Sequence, residues 1–226
     1  RSLVGSEMCI RDRCMATIPE DMFIEAVNAL VKAEEDWVPS EPETSLYIRP
    51  FAFACESSLG VHKSKAYKFV IILSPVGAYY AEGLAPVKIM VEDEYVRAVQ
   101  GGTGFTKCGG NYAGSIIGQV KAEKYGCSQV LWLDGRERKY VEEVGAMNIM
   151  FKIDGEIYTA PIEGTVLPGV TRDSIIHILK DWGYKVNETH LSVDDLMQAG
   201  RDGRLEEVYG TGTACLLYTS PSPRDS

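Results

Sequence analysis

The 226-residue sequence is short of positive charge: 23 Lys and Arg stand against 32 Asp and Glu, a formal charge of −9. Phosphate backbones are bound through basic patches, so this balance argues against nucleic acid as a partner. Long hydrophobic runs are also missing. None approaches the roughly 18 apolar residues of a membrane-spanning helix, so no membrane partner is expected. The six cysteines, at 9, 14, 55, 108, 127 and 215, form no CxxC pair and no metal-ligand spacing, which leaves no metal site to expect. In a chain this long they read as reduced thiols of a cytoplasmic protein rather than as a disulfide framework. What is present is ordinary: 45% hydrophobic and 24% charged residues, the composition of a globular protein with one large or two small domains.

Two stretches stand apart from the rest. Residues 1–13 (RSLVGSEMCIRDR) and 216–226 (LLYTSPSPRDS) show neither continuous periodicity nor a signal-peptide layout. Both read as tails foreign to the fold, similar to translated adapter sequence. Cys14 and Cys215 lie at the seams.

Between the tails, periodicity predicts alternating helices and strands. Pro19–Trp37 is a helix with Phe23, Val27, Leu30 and Val31 on its apolar side, stopped by Pro39 and Pro42. Strands are expected over Thr44–Ala54, with Pro50 at an edge or bulge, and over Tyr67–Val76. Gly77–Ala85 has no period and reads as a linker. Val87–Val91 is a strand, and Asp93–Val99 a turn or short helix. Asn111–Tyr125 is a helix with Ile116, Ile117 and Val120 on its apolar face and Gly126 as its stop. Gln129–Leu133 is a strand. Ala146–Ile153 and Ile157–Ala160 form a hairpin across Asp154-Gly155, a type I′ signal. Thr171–Trp182 is a helix with Thr171 as its N-cap. Tyr184–Leu191 is a strand, Val193–Ala199 a short helix, and Leu205–Tyr209 a strand entering a GTGTA turn.

The stretch that organises the chain is Gly101–Ser115, GGTGFTKCGGNYAGS, in which Lys107 sits between glycine pairs. Glycines admit φ > 0 and close approach of a bulky ligand. A lysine held there can be partly desolvated and become a usable amine nucleophile. By itself such a lysine also reads as a solvated loop residue. Elsewhere, Tyr47 and Arg49 lie two apart on one strand face, and an arginine among apolar residues needs an anionic partner. Glu142 and Glu143 are adjacent, so on a strand only one faces a given site, and by composition alone they read as two surface acids. Leu167–Arg172 (LPGVTR) precedes a helix, whose N-terminus suits a phosphate.

GGTGFTKCGGNYAGS, QVLWLDG, EEVGAMN, LPGVTRDS and YGTGTA, in that order, resemble the branched-chain amino acid aminotransferases. The resemblance runs from about Thr17 to Ala214. It implies a mixed α/β, fold type IV enzyme dependent on pyridoxal 5′-phosphate (PLP). It divides the chain into a partial small domain (14–78), an interdomain linker (79–86) and a large pseudo-barrel, PLP-binding domain (87–215). Lys107 matches the lysine that carries the cofactor and shuttles a proton. Tyr112 matches the phenol at the ring oxygen, and Glu143 the carboxylate at the pyridine nitrogen. Leu167 matches the residue packed on the ring. Val170, Thr171 and Thr213 match the phosphate contacts. Tyr47, Arg49, Val61, Thr213 and Ala214 match the substrate pocket, with Arg49 toward the distal carboxylate of glutamate. Ala146 stands where some relatives have threonine.

The reaction implied is reversible transfer of an amino group between leucine, isoleucine or valine and 2-oxoglutarate, in a homodimer. Nothing before Thr17 corresponds to the family's upstream small-domain segment and its phosphate-binding arginine. The expectation is therefore an N-terminally shortened chain of reduced cofactor affinity. Two other readings stay open: another fold type IV enzyme, such as a D-amino acid aminotransferase or a PLP-dependent lyase, and an inactive fragment.

Overall fold

The computed structural model describes residues 14–42, 44–77 and 86–212 and the backbone of 218–220. The chain divides into two compact units, Arg1–Gly83 and Leu84–Ser226. Most of the linker expected at 79–86, and the tail at 1–13, lie outside the described residues.

In the first unit, helix α1 (Glu20–Ala33) is followed by a 3-10 turn (Glu35–Trp37) and a two-stranded antiparallel sheet. Strand β1 (Ser45–Ala54) pairs with β2 (Tyr67–Val76) along its whole length, from Ser45↔Val76 to Ala54↔Tyr67. With only two strands both are edges, which is where Pro50 is tolerated. Phe23, Val27, Leu30 and Val31 are half-buried, as their spacing predicts, and the Phe23 ring stands 5.7 Å from that of Phe69.

The second unit is built on one eight-stranded sheet. Its strands are β3 (Ile89–Glu92), β4 (Gln129–Leu133), β5 (Val141–Val144), β6 (Met147–Ile153), β7 (Glu156–Thr159), β8 (Val186–Glu188), β9 (Leu205–Thr211) and β10 (Tyr218–Ser220). The path is β10-β9-β6-β5-β4-β3, with β7 on β6 and β8 on β7. Among the described residues, only β3–β4 and β7–β8 are parallel. Strand β9 takes one edge of β6, while β5 and β7 share the other, β5 at Met147–Asn148 and β7 from Met150 on. Asp154 (φ 50°) and Gly155 (φ 76°) make the predicted I′ turn between β6 and β7. Among the described residues three helices complete the unit: α2 (Gly109–Lys124), α3 (Val170–Asp181) and α4 (Val193–Arg201). No helix among the described residues is long and apolar enough to cross a membrane. The mixed α/β class is the one expected.

The differences from expectation are local. Tyr218–Ser220, set apart in the sequence as foreign, pairs antiparallel with β9. Of the strand expected over Tyr184–Leu191, Val186–Glu188 forms the strand, parallel to β7. Gly169, not Thr171, is the N-cap of α3, and no side chain caps it. On α2 the expected core face is turned outward: Ile116, Ile117 and Val120 are exposed, while Asn111, Gly118 and Ala122 are buried. The cause is Trp132 on β4. Its indole is 1% exposed and lies where a Cβ on Gly118 would be, 2.4 Å from Cη2. A flat, small-residue face admits this ring against the helix, and the branched side chains rotate away from it.

Gly118→Val must therefore displace a rigid ring, and it is expected to destabilise the chain by about 1–3 kcal/mol in urea unfolding. A Cβ on Gly114 would meet nothing within 4 Å. On the same helix Gly114→Ala is expected to stabilise by about 0.5–1 kcal/mol.

Candidate active site

Strand register lines up one row of side chains on one face of the sheet. Trp132 pairs with Glu143, Glu143 with Asn148, and Asn148 with Thr211, across β4, β5, β6 and β9. Cross-strand partners point to the same face. Helix α2 covers the Trp132 end of this face. Helix α3 covers the same face further along β6, where Ile176 packs with Met150, Ile157 and Tyr209. Glu143 and Asn148 lie between the two helices, close to both N-termini. The loop carrying Lys107 leads into α2, and the segment carrying Leu167 leads into α3.

The lysine loop is held from within. Asn111 Nδ2 donates to the carbonyls of Thr103 and Thr106, each at 2.7 Å, and Thr103 Oγ1 donates to Asn111 Oδ1. Gly104 has to be glycine because a Cβ there would sit 2.3 Å from the Ala98 methyl and 2.5 Å from the Thr165 carbonyl oxygen. Lys107 is exposed, so the described residues do not bury the amine as the glycine-rich loop suggested. Its Nζ stands 5.7 Å from the centre of the Tyr112 ring, and its charge acts on Glu143. Tyr112, at the start of α2, is 41% exposed.

Glu143 is 2% exposed. Its Oε1 accepts from Asn148 Nδ2 (3.0 Å) and from the Leu167 backbone N–H (2.9 Å). Its Oε2 lies 2.8 Å from Arg97 Nε, a contact of charges in which the N–H is not aimed at the oxygen. Burial pushes the carboxyl up to about 7, opposed first by the Arg97 guanidinium and also by Lys107. Arg97 Nη2 also donates to the carbonyls of Gly104 (3.0 Å) and Thr165 (2.6 Å). One guanidinium thus ties the lysine loop, the β5 carboxylate and the Leu167 segment together. Asn148 closes the same joint by donating to the Leu167 carbonyl at 2.9 Å.

Glu142, on the opposite side of β5, is buried too, so neither acid is the surface residue that composition allowed. Its Oε1 accepts the Thr165 hydroxyl, and burial pushes its carboxyl up. Leu167 and Val170 are half-buried, and Val170 and Thr171 are the first two residues of α3. The unpaired N–H groups of that first turn have no side-chain cap.

Thr213 and Ala214 lie outside the described residues. Tyr47, Arg49 and Val61 belong to the first unit. There Arg49 is exposed and donates to the Tyr47 hydroxyl at 2.8 Å, with its guanidinium 4.9 Å from the centre of that ring. Among the described residues it meets this phenol instead of a carboxylate. Val61 is fully exposed. Sequence reasoning missed Arg97, Asn148 and Asn111. The available signal was a polar residue inside an apolar stretch, as in MNIMFKI, which needs a partner when buried.

Two consequences are measurable. Glu143 has a folded-state pKa of about 7 against an ordinary 4.5, so the folded chain binds this proton more tightly than the unfolded one. Its contribution to stability is full below about pH 4.5 and is lost as pH rises to about 7. Glu143→Gln should flatten that part of the stability–pH profile. Arg97→Leu removes the charge that opposes this shift, so the pH-dependent loss should move to higher pH; it also strips the bonds to the Gly104 and Thr165 carbonyls and should cost about 1–3 kcal/mol, while Arg97→Leu combined with Glu143→Leu should abolish the pH dependence. Urea midpoints across pH test both.

The geometry can be set beside known proteins. A model of the amino-transferase class IV family matches residues 12–216. Branched-chain-amino-acid aminotransferase 2 of Bacillus subtilis is 55% identical over 204 residues, which are 90% of this chain and 56% of that protein. A probable branched-chain-amino-acid aminotransferase of Staphylococcus aureus is 52% identical over 204 residues, 90% of this chain and 57% of its own. This chain therefore spans a little over half the length of these relatives. Among solved structures, the Escherichia coli branched-chain amino acid aminotransferase superposes with a TM-score of 0.78 at 26% identity, over 97% of this chain and 70% of that one. The branched-chain aminotransferase of the archaeon Thermoproteus uzoniensis, solved with norvaline, shares the fold with a TM-score of 0.79 at 24% identity, over 96% and 69%. The motif order, the sheet with its buried carboxylate and the family match agree, and the chain belongs to the class IV aminotransferases.

Proposed function

We propose that this chain is the PLP-binding part of an enzyme that exchanges amino groups between branched-chain L-amino acids and 2-oxoglutarate. The observation that carries the reading is Glu143, a fully buried carboxyl on the sheet, with Lys107 on the loop that leads into α2 near enough for its charge to act on that carboxyl. The names of the relatives supply the substrate class.

The residues present fit PLP. Lys107 would carry the cofactor, with Tyr112 at its ring oxygen and Leu167 against its ring. Glu143 would hold the pyridine nitrogen, and a carboxyl poised near neutrality ionises readily beside a cationic nitrogen. Val170 and Thr171, on a helix N-terminus without a side-chain cap, would hold the phosphate together with Thr213. Bound there, the cofactor supplies a sink for the electrons released when the substrate's Cα–H bond breaks. Lys107 Nζ would take the proton from the substrate Cα and pass it to the cofactor's C4′ carbon, and in the return half-reaction would carry a proton the other way, from that carbon to the Cα of the second substrate. Arg97 keeps the Glu143 carboxylate in place while both happen. Tyr47, Arg49 and Val61 would line the substrate pocket, with the backbone of Thr213 and Ala214 receiving the α-carboxylate. In this reading 14–78 is a partial small domain, 79–86 the linker and 87–215 the large domain, in a cytoplasmic homodimer.

Absorption spectra of the purified chain with added PLP test the reading. The wild type should show a band that Lys107→Ala lacks, and L-leucine should shift it. A band unchanged in Lys107→Ala would refute the lysine assignment. A shift with D-alanine but none with L-leucine would move the chain to another fold type IV activity.

A further inference from the structure

One buried hydroxyl on the site's face of the sheet has no assigned role. Thr211 ends β9, is 1% exposed, and its Oγ1 has no hydrogen-bond partner among the described residues. A buried hydroxyl without a partner costs free energy, so its presence calls for a group to receive it. Its placement says which group. Thr211 pairs with Asn148 across β6–β9, so the two side chains share the face that holds Glu143. Asn148 borders the N-terminus of α3: its Nδ2 donates to the Leu167 carbonyl, and its Oδ1 would be 2.3 Å from a Cβ on Gly169, the N-cap. The buried hydroxyl and the uncapped first turn of a 12-residue helix therefore flank one side chain. Both offer donors, and a helix N-terminus favours an anion.

We infer that Thr211 Oγ1 donates a hydrogen bond to the phosphate of the bound cofactor. The inference rests on the PLP reading above and adds a residue to it. It gives the sheet, and not only the two loops, a direct hold on the phosphate end. It also explains why a polar side chain is buried where β9 leaves the sheet.

Equilibrium titration of the full chain with PLP and with pyridoxal, which lacks the phosphate, tests it. Thr211→Val removes the hydroxyl and keeps the shape. It is expected to weaken PLP binding about tenfold or more, the effect of one hydrogen bond to a charged group, and to leave pyridoxal binding unchanged. Thr211→Ser should keep the wild-type ratio of the two affinities, and Thr211→Ala should behave as Thr211→Val does. Inorganic phosphate should compete less well with PLP in the Val and Ala variants. Equal losses for PLP and pyridoxal, or no loss in either variant, would overturn the inference and leave the cofactor reading intact. A wild-type chain that takes up neither compound would contradict the cofactor reading itself.

Discussion

The site depends on a buried ion pair. Arg97 and Glu143 meet at 2.8 Å with side chains 7% and 3% exposed. Withdrawing two charges from water is expensive, and a pair of apolar side chains of similar volume serves stability as well or better. What the ion pair provides is an ionisable carboxyl held at one position inside a sheet, which no apolar pair can supply. The same guanidinium bonds the carbonyls of Gly104 and Thr165, so the loop before α2 and the segment before α3 are both referred to that carboxyl.

The remaining architecture brings these pieces to one sheet face. Strand pairing sets Glu143, Asn148 and Thr211 in a row, and two helices cover the face on either side of Glu143. Close backbone approach is part of the arrangement. Gly104 lets the lysine loop lie against Thr165, Gly118 lets α2 lie on Trp132, and Gly169 lets the start of α3 lie on Asn148. Each of these contacts leaves no room for a side chain, so the glycines fix distances between elements. Asn111 then stiffens the lysine loop with bonds to two of its carbonyls.

Much of this was legible in the sequence, and the exceptions have physical causes. The lysine between glycine pairs, the hairpin at Asp154-Gly155 and the positions of most helices and strands follow from turn chemistry and period. The buried face of α2 does not, because periodicity weighs hydrophobicity while the packing against Trp132 selects small volume. Strand β5 is hidden in VEEV, where two acids contradict the preference of carboxylates for water; Arg97, Asn148 and Thr165 make their burial tolerable. Arg97 and Asn148 were invisible for the same reason, since their partners are brought to them by strand pairing and not by spacing along the chain. Tyr47, Arg49 and Val61 lie on the first unit, whose residues the sequence ties to the site only through resemblance.

The central claim is that Lys107, on the loop that leads into α2, is the lysine that holds the cofactor. Borohydride reduction of the chain after incubation with PLP, followed by peptide mapping, addresses it directly. The account predicts a reduced pyridoxyl adduct on the peptide containing Lys107 and on no other lysine at stoichiometric yield. A stoichiometric adduct on a different lysine, or none at all, would contradict it.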